Sequence, residues 1–78
     1  MALIQIHQND PITLERARLQ VHNIASAKEQ RLMQFQWTYA AGYFMALAAH
    51  DLIDEATKCA LDAEADQARD AWQATAAK

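Results

Sequence analysis

The hydrophobic pattern of this chain is most unusual in its middle. From Leu32 to His50, nineteen residues pass without an Asp, Glu, Lys or Arg. At about 100° per residue, a helix over this segment carries its large side chains on two opposite faces. One face holds Leu32, Phe35, Tyr39, Gly42 and Ala46, and the other holds Met33, Trp37, Ala40, Phe44 and Ala48. A helix of this kind needs a cover on both sides.

Helical periodicity begins well before this segment. Asp10 and Pro11 make a typical helix start, because Asp10 can cap free backbone N–H groups and Pro11 suits the first helical position. An apolar stripe at spacings of three and four then follows, formed by Leu14, Ala17, Val21 and Ile24. The pattern predicts one long helix over about 11–49, preceded by a short arm over 1–9.

A break near Ser26 is the alternative. Residues 26–29, Ser-Ala-Lys-Glu, match a capping box, in which the Ser26 hydroxyl and the Glu29 carboxylate would each bond to the other residue's backbone N–H. The apolar stripe also fades between Ala25 and Arg31. Because the motif is common inside helices, we favour the continuous helix, which can be bent. A break would instead give a three-helix monomer.

A second helix is predicted over about 54–75. Asp54 is its N-cap, Glu55 suits the positive end of the helix, and Ile53 can staple the turn to the hydrophobic layer. Its apolar stripe consists of Leu61, Ala65, Ala68 and Trp72.

These elements predict an all-α protein with one domain over 1–78, built as an antiparallel helical hairpin. A hairpin covers only one flank of the uncharged helix. A second subunit covers the other most simply, which gives a dimeric four-helix bundle. The residues expected to mediate this self-association are Met33, Trp37 and Phe44.

Composition supports helices and a small core. Hydrophobic residues make up 53% of the chain, but eighteen of them are Ala, and there is one Gly and one Pro. Ala-rich sequences with few breakers favour helix, while 78 residues bury only a modest core. Because Gly42 costs helix stability, we expect it to let another helix approach near Tyr39 and Tyr43.

Charge and cysteine content exclude several kinds of chemistry. The net charge of −3 argues against nonspecific binding to nucleic acid. The single Cys59 cannot form an internal disulfide, and with three widely spaced histidines it cannot build a metal cage. We therefore predict no metal, no cofactor and no catalytic residue, a cytoplasmic location without an export signal, and Cys59 as a small core residue.

Five acidic residues form a candidate partner-binding surface. Asp62, Asp66 and Asp70 recur every four residues on one side of the last helix, and two more acids lie near its start. We call this set the acidic ridge: Asp54, Glu55, Asp62, Asp66 and Asp70. The acidic ridge could bind a basic surface of a partner. However, Lys58 and Arg69 lie close enough to neutralise much of its negative charge, so a solvated helix face is the simpler interpretation.

Two other function classes stay open as alternatives. Four bases could form a weak nucleic-acid footprint, although no helix-turn-helix signal accompanies them; they are Arg16, Arg18, Lys28 and Arg31. The uncharged segment also has about the length of a membrane span. Gln34, Gln36 and Thr38 within that segment argue against insertion.

The sequence over residues 32–61 resembles small helical proteins encoded in bacterial genomes and in phage or prophage regions. The resemblance is carried by the run Trp37-Thr-Tyr-Ala-Ala-Gly-Tyr-Phe-Met-Ala-Leu and by Leu52-Ile-Asp-Glu. His50-Asp51 departs from it, because Gly would be usual at that turn. The resemblance implies an accessory protein without an assigned activity.

Taken together, these features predict a non-catalytic protein–protein interaction module. It would bind itself and a further protein, and could be a phage-type modulator or inhibitor of a host complex. The alternatives are a small nucleic-acid-associated regulator and a membrane-associated protein.

Overall fold

A computed structural model describes residues 8–76, which form three α-helices. Helix α1 spans Pro11–Ala25, α2 spans Gln30–Ala49 and α3 spans Glu55–Ala76. Each helix packs against both of the others, and no strand occurs within residues 8–76. The all-α prediction is confirmed. The protomer is the three-helix form, however, and a two-helix hairpin completed by a second subunit is not supported. The predicted arm lies outside the described residues apart from Gln8 and Asn9.

The start of α1 is as predicted. One carboxylate oxygen of Asp10 accepts hydrogen bonds from the backbone N–H groups of Ile12 and Thr13, at 2.9 and 3.4 Å. Pro11 occupies the first turn, where a missing N–H donor costs nothing. The aspartate and the proline together fix where the helix begins.

The predicted continuous helix over 11–49 is wrong, because the chain turns between Ala25 and Gln30. The Ser26 hydroxyl donates to the carbonyl of His22 at 2.8 Å, so Ser26 closes α1 and does not open α2. Glu29 precedes α2 without a side-chain capping bond. The break therefore occurs at the Ser26 motif, but the capping box itself does not form.

The turn into α3 follows the sequence prediction closely. The Asp54 carboxylate accepts from the backbone N–H of Thr57 at 2.8 Å, as an N-cap should. Ile53, just before the cap, is buried in the core. Asp51 adopts a left-handed conformation with φ of 58°, a conformation that costs Asp less than most residues. It closes the turn where a glycine was missing from the pattern.

The core is entirely apolar. None of the residues that the structure describes as buried is polar or charged. Covering each of the larger side chains contributes about 1.5–3 kcal/mol. The buried set comprises Ala17, Ile24, Met33, Ala40, Phe44, Ile53, Leu61 and Ala65. Because α1 folds back, α1 and α3 of the same chain cover the Met33 and Phe44 face of α2, and no second subunit is needed there.

Polar contacts fasten both ends of the bundle. At one end, the Asn9 backbone N–H donates to the carbonyl of Leu52 at 3.0 Å, and the Asn9 side-chain amide donates to Asp54 at 3.1 Å. At the other end, the indole N–H of Trp72 donates to the carbonyl of Ala27 at 2.7 Å. The second bond ties the end of α3 to the turn between α1 and α2.

Candidate interaction surface

The second face of α2 is left uncovered. Leu32, Phe35 and Tyr39 point away from the bundle and keep 40%, 61% and 51% of their area exposed. Three small residues continue the line toward the end of the helix, and each of them is exposed as well. We call this surface the outer stripe: Leu32, Phe35, Tyr39, Gly42, Ala46 and Ala49.

The exposed rings are supported by their neighbours. Phe35 and Tyr39 are stacked with ring centroids 6.4 Å apart, and Tyr39 lies 6.2 Å from Tyr43. Tyr43 in turn meets the buried Phe44 edge-on at 6.4 Å. Such aromatic pairs are favourable beyond the area they bury. The ladder of rings thus connects the exposed stripe to the core.

Gly42 marks the change from large to small side chains along the outer stripe. A Cβ atom added at Gly42 would meet nothing within 4 Å. The expected close approach of another helix near Tyr39 and Tyr43 is therefore not made by α1 or α3. The absence of a side chain at this position leaves a shallow, open surface on α2.

The predicted self-association residues lie on the side of α2 that faces α1 and α3 of the same chain. Met33 and Phe44 are fully buried within the chain, so they are not available to a second copy. The indole N–H of Trp37 donates to Asp66 at 2.9 Å, and the Arg69 guanidinium lies 4.5 Å from the centre of the Trp37 ring. Trp37 therefore joins α2 to α3. The two faces predicted for α2 are both present. The face that the rest of the chain covers is the one with Met33 and Phe44, and the uncovered face is the one where another helix was expected near Tyr39 and Tyr43.

Within the acidic ridge, most carboxylates already have a partner in the same chain. Asp62 pairs with Lys58 at 2.9 Å, and Asp70 pairs with Arg69 at 3.2 Å. Asp66 accepts the Trp37 indole bond, and Asp54 caps α3. Glu55 is exposed near the start of the same helix. Asp66 and Asp70 are exposed as well, so the ridge combines these contacts with negative charge that solvent still reaches.

Two of these contacts shift a pKa. The hydroxyl and the backbone N–H of Thr57, together with the Asn9 side chain, hold the pKa of Asp54 below its ordinary value of 3.8. The hydrogen bond and the charge of Asp62 raise the pKa of Lys58 above its ordinary value of 10.5. Both shifts favour the charged form, so these groups stay ionised at neutral pH.

Of the remaining candidate residues, Arg16 and Arg18 line one groove along α1 together with His22. Arg18 pairs with Glu64 at 3.5 Å, which joins α1 to α3. Cys59 is exposed, contrary to the prediction of a core residue, and its thiol lies 3.9 Å from Glu55. Within residues 8–76, no three residues of the His, Cys, Asp and Glu types are placed to hold a metal ion. The helices in this part of the chain are also too short or too polar to span a membrane.

Besides a groove of about 610 Å³ along α1 that Ile12, Arg16 and Leu19 help to line, two open and mostly apolar grooves lie between the helices. One of about 510 Å³ lies between the ends of α1 and α3, where Trp72 and several alanines line it beside Lys28. Another, of about 280 Å³, lies between α2 and α3 beside Trp37 and the Lys58–Asp62 pair. Neither groove brings together a nucleophile and a base, so neither has the arrangement of a catalytic site.

No protein-family model matches this chain, and neither a curated protein nor a solved structure is detectably similar to it.

Proposed function

We propose that this protein is a non-catalytic interaction module that binds other protein surfaces through the outer stripe of α2. The observation that carries the proposal is the exposure of Phe35 and Tyr39 on a helix without charged residues from Leu32 onward. A connected exposed apolar surface is uncommon on soluble monomers and is typical of interaction sites. Aromatic side chains are also enriched where proteins bind one another.

The ring ladder supports the same role. Side chains that are already ordered lose less entropy when a partner covers them. Phe35 and Tyr39 stack on each other, and Tyr43 connects them to the core. A partner that presents an apolar helix or groove would therefore gain two prearranged aromatic anchors. A phage-type modulator or inhibitor of a host complex is one form that such a module takes.

The acidic ridge and the basic residues are weaker candidates for the binding surface. Asp62, Asp66 and Asp70 have partners within α2 and α3. Arg18 is engaged by Glu64, and the chain as a whole carries a net charge of −3. Binding to a charged partner would have to compete with these existing contacts.

Affinity capture from lysates of the source cells tests the proposal. The variants are Phe35→Glu on the outer stripe and Met45→Glu as its matched control, because both side chains are 61% exposed on α2. We expect Met45→Glu to retain the proteins that the wild type captures, and Phe35→Glu to lose them. If both variants retain the captured proteins, the proposal is contradicted. It is also contradicted if capture is lost with two further variants on the acidic ridge, Asp62→Lys and Asp66→Lys, and kept with Phe35→Glu.

A further inference from the structure

The outer stripe follows the spacing of a helix-pairing seam. Its six residues are separated by three, four, three, four and three positions, which is the spacing of the a and d positions in a coiled coil. The seam extends over most of α2. A 20-residue helix of this kind is about 30 Å long, which is enough for a continuous contact with a second helix.

Large side chains occupy one half of the seam and small ones the other half, so two antiparallel copies of the seam are complementary in shape. The N-terminal half of the seam holds Leu32, Phe35 and Tyr39, and the C-terminal half holds Gly42, Ala46 and Ala49. If two copies of α2 are placed antiparallel, Tyr39 of one copy lies opposite Gly42 of the other. Phe35 then meets Ala46, and Leu32 meets Ala49. A parallel arrangement would instead oppose large to large and small to small, and would leave a gap.

We propose that the outer stripe binds a second copy of this chain, with the two α2 helices antiparallel about a twofold axis between Tyr39 and Gly42. This inference rests on the proposed function, because it names the partner of the same surface. An antiparallel pair of this kind is isologous and closes as a dimer. It differs from a hairpin dimer, since each protomer keeps its own three-helix core.

Charges at the ends of the seam agree with this arrangement. Arg31 precedes the seam and Asp51 follows it; both are exposed. Among the ion pairs of residues 8–76, neither takes part. Antiparallel alignment brings Arg31 of each copy beside Asp51 of the other. Parallel alignment would bring like charges together at both ends.

The area available is that of a weak dimer. Covering the half-exposed leucine and aromatic side chains and the small residues on both copies removes on the order of 1,000 Å² from solvent. This is the lower end of the range for specific interfaces, where complexes are transient. We therefore expect a dissociation constant in the micromolar range.

Analytical ultracentrifugation tests the interface. From about 1 µM to about 1 mM, the range that brackets such an affinity, the wild type and Met45→Glu should shift from monomer to dimer. Gly42→Leu should fold, because nothing lies within 4 Å of a Cβ at that position, but its side chain fills the space that Tyr39 of the second copy needs. It should weaken dimerisation at least about tenfold, with circular dichroism reporting the intact fold.

Disulfide trapping tests the orientation in a Cys59→Ala background. With Leu32→Cys and Ala49→Cys proteins and oxidised glutathione, antiparallel helices should give the mixed disulfide when the two proteins are combined. Each protein alone should crosslink poorly, because its two cysteines would be about 25 Å apart, far beyond disulfide reach. Efficient crosslinking of each protein alone would overturn the proposal.

A wild type that stays monomeric throughout, or a Gly42→Leu protein that dimerises equally well, would also overturn it. If the wild type stays monomeric while capture of other proteins still depends on Phe35, self-pairing fails and the proposed interaction function survives.

Discussion

Two isoleucines on α1 show how strongly burial separates residues of the same type. Ile24 is fully buried between the helices, whereas Ile12 lies on another face of α1 and is 59% exposed. Removing a buried Ile side chain loses its transfer energy and leaves a cavity, while truncating an exposed Ile to Ala, which keeps the backbone N–H that the Asp10 cap binds, has little effect. The same substitution at the two positions therefore tests whether α1 is part of the core.

We predict that Ile24→Ala lowers the free energy of unfolding by about 2–5 kcal/mol and that Ile12→Ala changes it by less than about 0.5 kcal/mol. Urea denaturation followed by circular dichroism measures both values. Equal effects of the two substitutions would mean that α1 does not cover α2 as described.

Asp54 makes stability depend on pH. Its pKa is lowered in the folded state by hydrogen bonds from Thr57 and Asn9. A group with a lowered folded pKa stabilises the fold above its ordinary pKa, here 3.8, and this contribution is lost as the pH falls through the lower folded value. Acid should therefore weaken the cap at the start of α3.

Asp54→Asn keeps an oxygen acceptor for the cap but removes the titrating carboxyl. We expect the wild type to melt at a higher temperature than Asp54→Asn above pH 3.8, and the gap to close as the pH is lowered further. Thermal melts of both proteins over a pH series measure this difference. A gap that does not change with pH would show that the carboxylate charge contributes nothing.

Among the elements, helix starts were the easiest features to predict from the sequence. Asp10 with Pro11, and Ile53 with Asp54, carry local signals that do not depend on the rest of the fold. The break between α1 and α2 carries no Gly or Pro. It is held by the bond from Trp72 to the carbonyl of Ala27, 45 residues away. In the sequence, the break shows only as the fading of the apolar stripe between Ala25 and Arg31 and as the Ser26 motif, which is also common inside helices.

The two-faced character of α2 was also predictable, but the choice of covered face was not. Both faces carry aromatic side chains, so the face that α1 and α3 cover depends on where α1 turns back. Without the turn between α1 and α2, α1 cannot cover α2, and the sequence pattern then places Met33 and Phe44 at a dimer interface instead of in the core. Cys59 was a simpler error, since it lies off the stripe of Leu61 and Ala65 on the same helix.

Helix α1 is predicted to be indispensable for folding. A chain that lacks residues 1–29 keeps α2 and α3 but exposes Met33 and Phe44, which α1 helps to cover. We expect this shortened chain to lose its cooperative thermal transition, and a peptide of residues 8–29 added in trans to restore helicity. Circular dichroism measures both. A shortened chain that melts cooperatively by itself would support an independent hairpin.

In the whole molecule, α2 divides its two faces between two kinds of contact. Met33 and Phe44 hold the three helices of one chain together, and the aromatic outer stripe is the surface proposed to bind a second copy. Each face needs a different neighbour, so the fold and the interaction can be changed separately. Gly42 and Phe35 should affect association, while Ile24 should affect folding.

Isotope-filtered NOE spectroscopy on an equal mixture of ¹³C-labelled and unlabelled protein tests this division most directly, at a concentration where dimers form. We predict intermolecular NOEs between the Phe35 ring and the Ala46 methyl group, and none from Met33 or Phe44. Intermolecular NOEs from Met33 and Phe44, without any from Phe35, would contradict the account, because they would place the core of each bundle between two chains.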